Sequence, residues 1–362
     1  MQIKVPDYIL SIKPYATGKP IEELARETGA TRIIKLASNE NPLGPSPKAI
    51  DAIRASMENV HRYPDGGAHN LVQKLSEKLS VEPASIVMGN GSDDLIAMLT
   101  RALLAAGDEA IMGDPSFLMY DIMIRSAGAV PVHVPLRDLT LDLEGFLKKV
   151  NSKTRMIFVC NPNNPTGTVI SKDRFEHFLN ALPARVVVVV DEAYIEFVRD
   201  PDTPDGLDYL TPERPLVALR TFSKAYGLAG LRIGYGVMHE TLSDLLHRVR
   251  QPFNANILGQ AAALAALDDD AFLEKTVRIT HEGLDFLYTA LDEMGVGYYP
   301  TQTNFFLIDV AQDADAVYQA LLSRGVIVRS MSAYNYPTYI RINVGLPEEN
   351  SAFVQALKAV LS

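Results

Sequence analysis

The sequence predicts an α/β fold: a large domain with a mostly parallel central sheet covered by helices, and a smaller α+β C-terminal domain. Short Val- and Ile-rich blocks alternate with helical segments of about 10–15 residues between positions 46 and 250, the pattern of βαβ units. Helical periodicity dominates residues 240–294, and the tail then alternates between strands and helices. A length of 362 residues fits roughly two domains of about 150 residues.

The predicted organisation is an N-terminal arm over residues 1–45, a large domain over 46–250 and a small C-terminal domain over 251–362. Expected strands are 85–88, 110–112, 130–134, 156–160, 186–190, 217–220, 233–237, 304–308, 326–329 and 339–343. Expected helices are 21–28, 49–57, 70–79, 93–104, 119–127, 143–150, 172–182, 314–323 and 348–361, with further helix over 240–294.

Composition excludes several classes of protein. The chain has 34 Lys and Arg against 44 Asp and Glu, a net charge of −10, whereas proteins that bind nucleic acid or anionic membranes show a basic face. The longest strongly apolar run, 186–190, is far below the about 20 residues that span a bilayer. The single cysteine, Cys160, excludes an intramolecular disulfide and suits a reducing cytosol, so we expect a cytoplasmic protein.

Other familiar chemistries find no support in the sequence. The seven histidines form neither an H-E-x-x-H nor an H-x-H pattern, so no metal site is expected. There is also no G-x-S-x-G elbow of a serine hydrolase and no P-loop.

The first polar loop, GNGSDD (89–94), lies between an expected strand and an expected helix. The amide groups at such a helix N-terminus bind phosphate well. The loop also resembles the beginning of a dinucleotide-binding fingerprint, which would make the chain a nicotinamide-dependent dehydrogenase. Asp94 stands where that fingerprint requires its third glycine, so this alternative is disfavoured.

Three further loops carry chemically useful residues at the carboxyl ends of expected strands, where open parallel sheets bind ligands. NPNNPTG (161–167) is compatible with an ordinary turn. Asp191 follows five valines, so its carboxylate needs either a donor partner or a helix to cap. Lys224 in TFSK is either a surface cation or an amine whose pKa is lowered by burial and a nearby cation such as Arg232.

The order of these motifs resembles a known family. NPNNPTG, DEAY, TFSK and GLR together are the pattern of pyridoxal-phosphate (PLP) aminotransferases of the aspartate-aminotransferase fold, which is fold type I. NENPLGPSP, RYPD, GNGSDD, RQPFNAN, GVIVRSM and YIRINVG extend the resemblance nearly end to end to the class II subfamily of histidinol-phosphate aminotransferases.

The resemblance implies a role for each cofactor-binding residue. Lys224 would carry the PLP aldehyde as a Schiff base and shuttle a proton, and Asp191 would pair with the pyridine nitrogen, whose positive ring is the electron sink. Asn164 and Tyr194 would donate to the ring phenolate, and Phe117 would stack on the ring. The phosphate would lie among Gly91, Ser92, Asp93, Ser223 and Arg232, with Tyr63 reaching it from the second subunit of a homodimer.

The resemblance also implies a substrate pocket. Arg341 would hold the α-carboxylate of glutamate or 2-oxoglutarate. Histidinol phosphate carries a phosphate instead, so one pocket must accept either anion, which suits Arg329 and Arg341 together with Tyr15. Asn39 would lie close to the substrate.

The implied reaction is transamination between L-histidinol phosphate and 2-oxoglutarate in histidine biosynthesis. Aromatic amino acid aminotransferases and threonine-phosphate decarboxylase look alike at this level, because imidazole and phenyl rings fit similar apolar pockets. A non-catalytic regulator with this body would usually carry an added DNA-binding domain, for which 362 residues leave no room.

Overall fold

The computed structural model describes residues 3–15, 18–28 and 32–362, so the predicted arm over residues 1–45 is described only within those ranges. The helices of these ranges are α1 (Asp7–Leu10), α2 (Ile21–Thr28), α3 (Pro47–Ser56), α4 (His69–Leu79), α5 (Ser92–Leu103), α6 (Met119–Ser126), α7 (Leu143–Lys149), α8 (Lys172–Ala181), α9 (Glu240–Val249), α10 (Ile257–Leu267), α11 (Asp270–Met294), α12 (Ala314–Leu322) and α13 (Pro347–Leu361).

The strands of the same ranges are β1 (Ile34–Lys35), β2 (Ile86–Gly89), β3 (Glu109–Asp114), β4 (Val130–Pro135), β5 (Thr154–Cys160), β6 (Val187–Asp191), β7 (Leu216–Thr221), β8 (Gly234–Met238), β9 (Gly297–Tyr299), β10 (Phe305–Asp309), β11 (Val326–Ile327), β12 (Arg329–Ser330) and β13 (Tyr339–Asn343). The large sheet has the order β2-β8-β7-β6-β5-β3-β4, in which only β8 pairs antiparallel with its neighbours. The predicted mostly parallel sheet is confirmed.

Helices cover both faces of the large sheet, which explains why its strands are apolar throughout. In β6 every residue is buried, and successive valines point to opposite faces. Val187 and Val189 pack in the cluster that includes α5 and α6 residues, and Val188 and Val190 pack in the cluster that includes α7 and α8 residues. A polar residue at the end of such a strand therefore lies at the rim of the core.

Local sequence determines where several of these helices begin. Ser46 accepts a hydrogen bond from the amide of Ala49 at 3.1 Å and is followed by proline, so α3 begins at position 47. The carboxylate of Asp142 accepts one from the amide of Gly145 at 3.1 Å and caps α7 in the same way. These caps fix the entry points of helices that cover the sheet.

The C-terminal part forms a four-stranded antiparallel sheet in the order β12-β13-β10-β9. Its core is an apolar cluster with contributions from α11, α12 and α13, which confirms the predicted α+β region. A two-stranded parallel sheet joins β1 to β11, so residues preceding the large domain in the chain are tied to the small one.

The sequence predicted nearly every long element with errors of one to three residues, and it missed the short α1, β1 and β9. The domain limits 1–45, 46–250 and 251–362 stay predictions. Side-chain packing puts α10 in the cluster of α3 and α4 residues and Ile34 in that of the C-terminal sheet. This packing favours a later limit between the two domains and a shorter arm.

Within the described ranges, no helix is both long enough and apolar enough to cross a membrane.

We expect Leu99→Ala to lower the free energy of unfolding by about 2–5 kcal/mol, because Leu99 on α5 is fully buried and its loss leaves a cavity in the core. Leu245→Ala is the matched control on α9, where the side chain is 37% exposed, and should cost less than about 1 kcal/mol. Chemical denaturation of both variants measures the difference, and equal losses would contradict the packing.

Candidate active site

A cavity of about 190 Å³ lies where the parallel strands β5, β6 and β7 end. Cys160, Asp191 and Thr221, the last residues of these strands, line it. Most residues predicted for the site meet here: Tyr15, Asn39, Ser92, Asp93, Phe117, Asn164, Asp191, Tyr194, Ser223, Lys224, Arg232, Arg329 and Arg341. The fold thus brings together residues that are far apart in the chain, such as Tyr15 and Arg341.

One end of the cavity is built to hold an anion. Gly91 is the residue before α5 and has φ +82°. The amide groups in the first turn of a helix point out from its N-terminus, where they can bind an anion. The guanidinium of Arg232 lies alongside: Nη1 donates to Ser223 Oγ at 3.4 Å and Nη2 to Asp93 Oδ2 at 3.3 Å. We call Gly91, Ser92, Asp93, Ser223 and Arg232 the phosphate cup.

Glycine is required at position 91 of the phosphate cup. A Cβ atom there would lie 2.5 Å from Nη2 of Arg232, and the positive φ would be strained for any other residue. Thr221 also supports the cup, because its hydroxyl donates to Ser223 Oγ at 2.9 Å. The sequence analysis did not single out Thr221, although its position in TFSK was available.

Asp191 is 3% exposed at the end of β6, and burial raises the pKa of its carboxyl to about 6. The hydroxyl of Tyr120 donates to Asp191 Oδ2 at 2.6 Å, which opposes that rise, and the amide of Ala193 donates to Oδ1 at 3.3 Å. The lone pairs of the carboxylate that these two donors leave unused can accept a hydrogen bond from a cationic N–H group.

The sequence analysis missed Tyr120, which is fully buried on α6. No local pattern singled it out, because the predicted ring-stacking residue Phe117 precedes α6, and the backbone amide of Tyr120 donates to the carbonyl of Phe117 at 3.2 Å. The two aromatic rings meet edge to face, with centroids 5.6 Å apart. Phe117 therefore lines the cavity with its orientation supported by the same tyrosine that holds Asp191.

Lys224 follows β7, and its amine donates to the carbonyl oxygen of Ser38 at 3.3 Å. Burial first, and then the nearby guanidinium groups of Arg341 and Arg232, lower the pKa of this amine to about 8, against the carboxylates of Glu40 and Asp93, which raise it. The predicted depression by burial and a neighbouring cation matches this environment. A substantial fraction of the amine is neutral, and hence nucleophilic, near pH 8.

Two further residues are oriented as donors towards the cavity. The side-chain amide of Asn39 donates to the hydroxyl oxygen of Tyr194 at 2.9 Å, so the proton of that hydroxyl is free to point elsewhere. Arg341 Nη1 donates to Asn164 Oδ1 at 2.6 Å, which leaves the NH₂ group of Asn164 as a donor. Burial also raises the pKa of Tyr194, so its hydroxyl keeps its proton.

Asn39 is held in an unusual backbone conformation, with φ +56°. Its backbone amide donates to Asn343 Oδ1 at 3.0 Å, and its backbone carbonyl accepts from Asn304 Nδ2 at 3.1 Å. Both partners belong to the C-terminal region, and the sequence analysis missed both. Asn39 thus couples the segment before α3 to the region of the C-terminal sheet, and its Oδ1 is buried with no hydrogen-bond partner among the described residues.

Two further guanidinium groups, those of Arg329 and Arg341, belong to side chains that line the cavity. Arg341 is 8% exposed, donates from Nη2 to the carbonyl of Ala37 at 3.0 Å, and lies 5.0 Å above the ring of Phe305. Tyr15 and Tyr334 also line the cavity, and Tyr334 was not predicted. Burial raises the pKa of Tyr334, while the guanidinium groups of Arg329 and Arg341 oppose that rise, so these cations lie close to its hydroxyl.

Tyr63 is the one predicted cofactor-binding side chain that lies apart from the cavity of its own chain. It is 81% exposed and stacks on Phe253, with ring centroids 4.6 Å apart. A contribution from Tyr63 to the site therefore depends on a second copy of the chain, and this role stays a prediction.

The donor set fits PLP, the expected cofactor. The phosphate cup suits its phosphate, Lys224 its aldehyde, Asp191 its pyridine nitrogen, and the paired donors Asn164 and Tyr194 its ring oxygen. The unused hydrogen-bonding capacity in the cavity, including the buried Arg341 Nε without a partner among the described residues, indicates that the site is completed by ligands.

We expect Lys224→Met to stabilise the cofactor-free protein most below pH 8. The folded-state pKa of about 8 lies below the ordinary 10.5, so the penalty of burying the charge is complete below pH 8 and disappears as pH rises towards 10.5. The stability difference between variant and wild type should therefore shrink between pH 7 and pH 9.5, as measured by denaturant unfolding. Lys149→Met, at an exposed position on α7, supplies the background. A difference that is constant with pH would contradict the assignment.

Comparisons with known proteins agree with this geometry. Residues 31–357 match the model of the family "Aminotransferase class I and II". The chain is 48% identical to histidinol-phosphate aminotransferase 2 of Pseudomonas aeruginosa, over 98% of this chain and 96% of that one. It is 44% identical to the histidinol-phosphate aminotransferase of Caldicellulosiruptor saccharolyticus, over 98% and 99% of the two chains.

A solved structure is similar throughout. The histidinol-phosphate aminotransferase of Sinorhizobium meliloti, in complex with pyridoxal-5'-phosphate, superposes with a TM-score of 0.91 at 29% identity, over 100% of this chain and 98% of that one. The chain therefore belongs to the aminotransferase class I and II family, and within it to the histidinol-phosphate aminotransferases.

Proposed function

We propose that the protein transfers the amino group of L-histidinol phosphate to 2-oxoglutarate, yielding imidazole-acetol phosphate and L-glutamate in histidine biosynthesis. The observation that carries the proposal is one cavity whose lining combines an amine of lowered pKa, a buried carboxylate, residues of the phosphate cup and the two arginines Arg329 and Arg341. The names of relatives that are 44–48% identical support the substrate. The single cysteine is consistent with a reaction in the cytoplasm, which is part of the same proposal.

PLP, when bound, supplies an aldehyde that combines with amines and a ring that withdraws electrons from the carbon bearing the amino group. Asp191 would hold the proton on the ring nitrogen, since its carboxylate is fixed by Tyr120 and faces the cavity. Tyr194 and Asn164 would orient the ring through hydrogen bonds to its oxygen. Phe117 would cover one face of the ring and exclude water.

Lys224 has two tasks in this scheme. Its amine binds the cofactor in the resting enzyme, and once released it accepts the proton from the substrate carbon that carries the amino group. Both tasks require the neutral amine, and a pKa of about 8 makes it available at moderately alkaline pH. The carbonyl of Ser38 gives the amine a fixed direction.

Arg329 and Arg341 would bind the anion of either substrate. The guanidinium of Arg341 is positioned by Ala37 and Asn164 before any ligand enters, so its remaining donors are available to a carboxylate or a phosphate oxygen. Tyr15, at the mouth of the cavity and 44% exposed, adds a hydroxyl to its lining.

The functional unit in this proposal is a homodimer in which Tyr63 reaches the phosphate cup of the second subunit. The strongly exposed side chains of Met57, Val60 and Tyr63, together with Phe253, support such an interface, because large exposed apolar groups commonly mark one. The stack of Tyr63 on Phe253 gives the protruding ring a defined position.

Turnover of three amino donors tests the substrate. We expect kcat/KM for histidinol phosphate with 2-oxoglutarate to exceed that for phenylalanine at least about tenfold, with no decarboxylation of threonine phosphate. Lys224→Ala should lower kcat by a factor of about 10³ or more and serves as the control for contaminating activity. Silence with histidinol phosphate, or normal turnover by the variant, would refute the proposal.

Mixing two inactive variants tests the shared site. If Tyr63 acts across the interface, refolding Tyr63→Ala together with Lys224→Ala gives hybrid dimers with one intact site, and activity should recover to about a quarter of wild type. Tyr8→Ala, at another exposed tyrosine, is the control. Its mixture with Lys224→Ala should be as active as a mixture of wild-type chains with Lys224→Ala. No recovery in the first mixture, while both variants form dimers by light scattering, would assign Tyr63 no role across the interface.

A further inference from the structure

The segment RQPFNAN, residues 250–256, connects α9 to α10 behind the phosphate cup. It contributes no residue to the lining of the cavity, and apart from the stacking of Phe253 on Tyr63 the proposed function gives it no role. Two of its asparagines, Asn254 and Asn256, nevertheless make hydrogen bonds to the two halves of the cup. These halves are the first turn of α5 and the loop that ends in Arg232.

Asn254 holds the α5 half. Its side-chain NH₂ group donates to Asp94 Oδ2 at 2.7 Å and to the carbonyl of Met88 at 3.1 Å. The same carboxylate oxygen of Asp94 accepts from the amide of Asn90 at 3.0 Å, and Arg250 Nη1 donates to Asn254 Oδ1 at 3.3 Å. One side chain therefore ties the end of β2 to the beginning of α5, where Ser92 and Asp93 belong to the cup.

Asn256 holds the Arg232 half. Its Nδ2 donates to the carbonyl of Leu231 at 2.7 Å, one residue before Arg232. Its Oδ1 accepts from the amide of Gly259 at 2.7 Å and so caps α10. Arg232 has φ +53°, a left-handed conformation that is strained for a non-glycine residue and persists only when the surroundings impose it. The bond to Leu231 is one such constraint.

The two asparagines are separated by Ala255 alone, which is 3% exposed. The carbonyl of Ala255 also accepts from Gln260 Nε2 at 2.8 Å, so the short segment is fixed to the beginning of α10. A rigid piece of chain that bonds to both halves sets the separation between the amide groups of α5 and the guanidinium of Arg232. A phosphate group needs both sets of donors at a fixed separation.

We propose that Asn254 and Asn256 are positioning residues that set the affinity of the protein for the phosphate group of its cofactor. The proposal rests on the phosphate cup of the proposed function. It adds that these two side chains fix the separation between the amide groups of α5 and the guanidinium of Arg232. Neither asparagine lines the cavity; each acts through residues next to those of the cup, Asn254 through Asp94 and Asn256 through Leu231.

The test compares dissociation constants of PLP and of pyridoxal, which lacks the phosphate, on the cofactor-free full chain. The affinity ratio between the two ligands isolates the phosphate contribution, and a loss of folded protein cancels from it. Asn254→Ala removes the bonds to Asp94 and Met88. Asn256→Ser keeps an N-cap for α10 but is too short to reach Leu231, so it separates clamping from capping.

Each variant should lower the preference for PLP over pyridoxal at least about fivefold, the loss expected when a hydrogen bond supporting a charged site is removed. The affinity for pyridoxal should change less than about twofold in both. Asn180→Ala, at an exposed position near the end of α8, should leave both constants unchanged.

Each outcome decides a different statement. If the wild-type protein itself shows no preference for PLP, the phosphate cup is wrongly assigned and the proposed function loses its support there. If the wild type prefers PLP and the variants keep that preference, the cup stands and the role of the two asparagines is refuted. Equal weakening of PLP and pyridoxal assigns them a purely structural role and also overturns the proposal.

Discussion

Desolvation of charged groups at the ends of adjacent strands is the constraint on which the rest of the structure depends. Burial pushes the carboxyl of Asp191 towards the neutral form and the amine of Lys224 towards the free base, with pKa values of about 6 and about 8. In water, with their ordinary pKa values, the carboxyl of Asp191 would be ionised and the amine of Lys224 protonated at neutral pH. The apolar strands that cover them, β5 and β6 above all, are therefore part of the chemistry as well as of the core.

Hydrogen bonds within the protein determine which groups of the site are left to donate to a ligand and which are left to accept from it. The side-chain amide of Asn39 occupies an acceptor position of Tyr194, and Arg341 occupies the oxygen of Asn164, so both Tyr194 and Asn164 present donors to the cavity. Tyr120 plays the complementary part by donating to Asp191, which stays an acceptor. Donors and acceptors are thus assigned before a ligand enters, and little reorganisation is required on binding.

The sequence was a reliable guide where a local pattern determines the structure. Runs such as the valines of β6 are apolar because both faces of a parallel sheet are covered, and the polar residues after them mark the ligand edge. The resemblance of ordered motifs then brought Lys224, Asp191 and Arg232 into one site. Sequence alone missed partners that only the tertiary fold defines: Asn304 and Asn343 bond to Asn39 from 265 and 304 residues away. Short elements such as β1 were missed because two residues carry no periodicity.

The electrostatics of the cavity account for anionic ligands in a chain whose net charge is −10. Lys224, Arg232, Arg329 and Arg341 line the cavity, against the carboxylates of Asp93 and Asp191. Two of these cations donate their hydrogen bonds to neutral oxygens. Lys224 donates to a carbonyl, and Arg341 donates to a carbonyl and to a side-chain amide oxygen.

A carboxylate partner would neutralise a cation and compete with an incoming anion, whereas a carbonyl fixes its direction and leaves its charge available. The lowered pKa of Arg341, caused first by burial, is the signature of a cation left without a counter-charge. A bound phosphate or carboxylate would supply the missing counter-charge, so the cavity favours anionic ligands although the net charge of the chain is −10.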